Sequence, residues 1–134
     1  MPLPFPPGCP PDDADPKPGT YFRLAPKGMA VGDATSEACW RRPYETPKGR
    51  LEGQGDTPEA HGLSLFADIE DVRAATRFTP WFRGKSVAEI TIGALDGSLR
   101  HSPTPQGESH HDWWTKPYDF LPQGVIVEVL EEVA

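Results

Sequence analysis

The chain has 134 residues, enough for one domain that buries roughly two thirds of its unfolded surface. Its formal charge of −7, with 13 basic residues scattered along the chain, excludes nucleic acid or an anionic membrane as the main partner, because clustered phosphates need clustered Lys and Arg. Seventeen Pro and 13 Gly imply long irregular connections, while 13 aromatic residues supply the apolar area that disordered chains lack.

Residues 1–19 carry eight prolines, each of which removes a backbone donor, so neither a helix nor a central strand is expected there. The segment reads as an extended arm. It is either solvated or pinned by Leu3 and Phe5 across the domain or onto a neighbouring subunit. It does not read as a signal peptide, and no apolar run in the chain is long enough to span a bilayer, so a cytoplasmic location is expected. Cys9 and Cys39 lack CxxC spacing and are expected as reduced thiols.

Residues 20–134 read as a single α+β domain, with a small mixed or mainly antiparallel sheet, one or two short helices and long loops. The run YFRLAPKGMAV begins as a strand with Tyr21, Arg23 and Ala25 on one side and Phe22 and Leu24 on the other. Pro26 should stop it, Lys27-Gly28 turn the chain, and Met29–Val31 resume as a hairpin arm. Arg23 is expected on an exposed face. From Gly32 to Gly62 the chain is polar and broken by Pro43, Pro47 and Pro58, which predicts a long excursion with one helical turn near Ala34–Trp40, capped by Asp33. Within it, Cys39-Trp40-Arg41-Arg42-Pro43-Tyr44 sets paired arginines beside two aromatics, either to stack on a base or bind an anion, or as Arg covering Trp.

GLSLF, from Gly62 to Phe66, is a short strand running into a helix that Asp68 caps and that carries Ile69, Val72 and Ala75 or Thr76 on one stripe. Ser64 and Phe66 stand just before that cap, where a strand end can reach a ligand; Phe66 can equally fill the core. SVAEITI, Ser86–Ile92, alternates as a half-buried strand. Asp96-Gly97 turns into a brief return, Ser98–His101. Pro103 and Pro105 then open a loop. GVIVEVLEEV, from Gly124 to Val133, is β-branched enough to close the fold as a strand with an acidic tail.

The loop Glu108–Tyr118 holds two of the four histidines and two of the four tryptophans. Adjacent histidines on extended chain point to opposite sides, and no HxH, HExxH or paired-Cys spacing supplies companion ligands, so no metal and no cofactor are expected. His110 or His111 beside Asp112 offers a base, but Ser64 lies in no nucleophile setting. The reading that remains is a soluble accessory or interaction domain whose partner is another protein. Its contact surface is this loop, with His110, His111, Asp112, Trp113, Trp114 and Tyr118, and with Trp81 and Phe82 as further aromatics. One tryptophan should plug the core while the other faces outward.

A second expectation comes from the order of features: YFRL with Arg23, GLSLF leading directly into DIEDVRAA, SVAEITI, and the closing strand with Glu128. This order resembles the compact ADP-ribosyltransferase-like fold. The resemblance implies a small NAD-consuming enzyme, of toxin or effector type, with NAD as substrate. It implies further that Arg23 grips the dinucleotide, Ser64 and Phe66 support the nicotinamide ribose, and Glu128 orients the acceptor reaction. The chain departs from the pattern in lacking a Ser-x-Ser pair, a Tyr after GLSLF and a second acid two residues before Glu128.

Overall fold

Alternating side chains in the YFRLA run produce β1, Gly19–Lys27, the strand beside which the others are laid down. The structure, a computed structural model, describes residues 5–42, 45, 57–78, 83–105 and 107–130. Leu3, Pro43, Tyr44, Pro47, Trp81, Phe82 and the tail beyond Leu130, all invoked above, lie outside these residues. Among the described residues five further strands follow: β2 (Leu63–Phe66), β3 (Lys85–Ile92), β4 (Gly97–His101), β5 (His110–Thr115) and β6 (Val125–Val129). They form one six-stranded sheet in the order β4-β5-β2-β1-β3-β6, with every neighbouring pair antiparallel. With the two α-helices found among the described residues, the class is α+β, weighted towards sheet.

Pro26 does not end β1. The register with β3 shifts between Ala25 and Lys27, so the proline sits in a bulge where its missing N–H costs no ladder bond. Gly28, at φ 94°, then turns the chain away. The expected hairpin arm at Met29–Val31 does not form. The chain crosses to β6 instead, where Gly32 N–H donates to Ile126 O and Ile126 N–H donates to Asp33 O. The expected helical turn is present, shorter, as a 3-10 turn over Glu37–Trp40. Asp33 does not cap it; its Oδ2 accepts from Ala30 N.

Two helices flank β2. The first, α1 (Pro58–His61), is a single turn that the polar composition hid: Thr57 Oγ1 accepts from Ala60 N and Pro58 opens the turn without needing a donor. The second, α2 (Ile69–Phe78), begins as expected at Asp68, whose Oδ1 accepts from Glu70 N.

The sheet buries both faces, which explains why its strands are apolar on either side. On the first face Tyr21, Leu65, Ile90, Trp113 and Ile126 form the larger core, closed by Cys39 and Trp40 of the 3-10 turn and by Phe120. On the second face Phe66, Val87 and Leu130 pack with Val72 of α2. The arm lies against the outer edge of β4, where Asp15 and Leu99 exchange two backbone bonds of 2.9 and 2.8 Å. Phe5 stands edge-on to the rings of His61 and Tyr118.

Candidate functional site

The stretch expected as a loop is β5, paired on both sides. Residues Phe66, Leu65, Ser64 and Leu63 of β2 face His110, His111, Asp112 and Trp113, and β4 covers the other edge. Strand alternation sends His111, Trp113 and Thr115 to the first face and His110, Asp112 and Trp114 to the second. The two adjacent histidines therefore do diverge. The tryptophans diverge as well, and both are fully buried. Trp113 meets Trp40 and Phe120 edge-on and donates its indole N–H to Asp96 O at 3.1 Å. Trp114 lies under α1, donates to Pro58 O at 2.9 Å and carries the Arg100 guanidinium over its ring. The outward tryptophan is thus corrected: α1, which the polar composition hid, covers Trp114 at the end of the second face away from α2.

On that second face Ser64, Asp112 and Arg100 stand in register across three strands. Arg100 meets Asp112 at 3.4 Å, Asp13 of the arm at 3.6 Å and Glu59 of α1 at 3.8 Å, so one guanidinium ties arm, helix and sheet together. Ser102 Oγ donates to Asp112 at 3.0 Å and lies 3.1 Å from His110 Nδ1. That nitrogen donates to the carbonyl of Ser102 at 2.9 Å. It has no lone pair left to take the hydroxyl proton, so the set is not an activated nucleophile. The Phe66 and His110 rings meet in a T-shaped contact, and Phe66 is buried in the second-face core.

His111 faces a shallow cleft of about 510 Å3 with Lys17, Asp68, Asp71, His101 and Glu108. His101 Nε2 donates to Glu108 O at 2.6 Å and His111 Nδ1 to Ser109 O at 2.7 Å, with the two rings 5.0 Å apart. Burial holds the His111 imidazole below its usual range; the Ser109 carbonyl opposes this, and the neighbouring His101 and Lys17 add to it. Among the described residues no three His, Cys, Asp or Glu side chains are grouped to hold a metal ion.

Arg23 is not exposed as expected. It extends over the first face, where Nε donates to Cys39 O (2.7 Å), Nη1 to Ser64 O (2.8 Å) and Nη2 to Arg41 O (2.7 Å), with Trp40 beneath the guanidinium. Burial lowers its pKa to about 10, and it remains charged at neutral pH. Glu128 belongs to the other face, where Arg73 of α2 grips both its oxygens and also reaches Glu70. Arg23, Ser64, Phe66 and Glu128 therefore do not share one cleft.

Two further concavities are present among the described residues. One of about 730 Å3 lies between Trp40, Arg41 and Arg42 on one side and Phe120 and Leu121 on the other, with Glu37, Glu45 and Asp119 also lining it. Arg42 is buried and donates to Thr115 Oγ1 and Tyr118 O, which fixes the turn after β5. The other, about 490 Å3, is a groove where β5 ends. Leu95, Pro117 and Tyr118 form its body wall; Phe5, Pro10 and Pro16 of the arm form its roof. Of the residues singled out as the contact surface, Tyr118 alone brings side-chain surface here, since Trp114 is wholly buried. Leu95 and the arm went unselected because nothing in the sequence brings residues 5–16 to the turn before β4.

No protein-family model, curated protein or solved structure matches the chain. Among the described residues no helix is long and apolar enough to cross a membrane.

Proposed function

We propose that the chain is a protein-interaction domain and that its contact surface is the groove at the end of β5. An apolar side chain from an extended partner segment seats there against Leu95, Pro117 and Tyr118. One observation carries this reading: Leu95 is 86% exposed and stands at the rim of a groove walled by proline and aromatic carbon. A single exposed leucine is ordinary, whereas one continuous with a concave apolar wall makes a patch suited to a partner. The test begins with peptides enriched on the chain from a random display library, followed by calorimetric titration. Leu95→Asp and Tyr118→Ala each weaken the enriched peptides by about tenfold or more. Equal affinity for both variants, or enrichment of sequences without an apolar residue, overturns the proposal.

A second reading keeps the ADP-ribosyltransferase-like resemblance. What supports it is the contact between its first two positions, Arg23 and Ser64, on neighbouring central strands. The Ser64 hydroxyl, Asp112 and Glu128 all project to the opposite face of the sheet from the Arg23 guanidinium, so the acidic role stays with Glu128, as the resemblance has it. Release of nicotinamide from NAD, abolished by Glu128→Gln with the fold intact, is the expected result. NAD left unconsumed by the native chain removes this reading.

A further inference from the structure

β4 is an edge strand, and an unfilled edge is a template for another chain. Its Leu99 turns both backbone groups outward, to Asp15. Antiparallel alternation turns those of His101, two residues on, to the same side. Among the described residues the arm bridges this edge at Asp15 alone. The arm cannot do more as it lies. Ala14 N–H closes a turn on Pro11 O, which lifts the chain off β4 on one side, and the Tyr21 hydroxyl holds Lys17 O to β1 on the other. Pro16 and Pro18 supply no donors. Otherwise the arm is held by Asp13 on Arg100 and by Phe5 against Tyr118, His61 and Arg42.

We infer that the outer edge of β4 is a strand-docking surface strapped shut by the arm, and that an extended segment of a partner protein replaces the arm there as a seventh antiparallel strand. This rests on the interaction reading above. The arm itself is the template for the occupant: a carboxylate for Arg100, where Asp13 sits at 3.6 Å, a residue to exchange two bonds with Leu99, and an apolar residue for the groove that Pro16 roofs. A segment free of proline adds bonds to His101 that the arm does not make, which is the strand-addition mode of recognition.

The probe is a synthetic nonapeptide copying residues 10–18 with valine in place of its four prolines. It is titrated into the full-length chain and into Phe5→Ala, which loosens the arm without touching β4. Amide hydrogen exchange is read at Leu99 and His101. The peptide slows exchange at His101 as well as Leu99, and Phe5→Ala binds it about tenfold more tightly than the native chain. An unchanged His101 amide at saturation, equal affinity for the two chains, or an arm-exchanged dimer of Phe5→Ala that leaves the peptide unbound overturns the inference. If library peptides still bind in a Leu95-dependent way, strand addition alone has failed. If none does, the interaction reading has failed with it.

Discussion

Arg23→Met separates an arginine that holds the fold from one that waits for a ligand. Methionine keeps the apolar stem over Trp40 and deletes the three donors to Cys39 O, Ser64 O and Arg41 O. The Arg41 carbonyl lies at the surface and finds water, so its loss counts little. The carbonyls of Cys39 and Ser64 are left in a part-buried site, at about 1–3 kcal/mol each. Removing a desolvated charge returns part of that. The net loss is about 3 kcal/mol, which lowers Tm by roughly 12 °C for a chain of this size. Urea and calorimetric unfolding measure it, and an unchanged m-value shows that the variant unfolds as the native chain does. A loss under about 1 kcal/mol refutes the reasoning, because it leaves the guanidinium dispensable to the fold and available to a ligand.

Three other outcomes follow from the packing and the charges. Trp114→Ala opens a cavity under α1 and costs about 3–5 kcal/mol in urea unfolding, so any loss of partner binding in that variant reports the fold. Gly97→Ala costs about 3 kcal/mol, since Gly97 holds φ 124° and an added Cβ meets Trp114 O at 2.0 Å; stability within 0.5 kcal/mol of native, on the order of a neutral surface change, contradicts that geometry. His111 has a folded-state pKa below the usual 6.5, so the unfolded chain takes the proton more readily. Its contribution is whole above pH 6.5 and is lost as pH falls from there through the folded-state value. Urea midpoints at pH 7.5 and 5.5 should converge in His111→Gln relative to the native chain.

The sheet was legible wherever one strand's pattern sufficed. β3 and β6 alternate, and α2 announces itself through Asp68 and its apolar stripe. β5 was hidden because tryptophan and histidine are as common in loops, and because its burial depends on α1 and Trp40, which close its two faces from distant parts of the chain. Pro26 misled for a related reason: a proline ends a regular strand but is tolerated in a bulge, and the bulge is a property of the pairing with β3. The site was less legible than the fold. His110 and Asp112 do come together, but through Ser102 and Arg100, which the spacing did not mark. The groove is made by residues 5–16, 94–98 and 114–118, brought together by the arm's crossing of β4.

The most direct measurement is a set of NMR chemical-shift maps of the 15N-labelled chain during titration with a library-selected peptide. Shifts concentrated at Leu95, Lys116 and Tyr118, which line the groove, and at the β4 edge through Leu99 are the predicted result. Shifts centred instead on Trp40, Arg41 and Phe120, with Leu95 and Tyr118 unmoved, contradict the assignment of the groove as the contact surface.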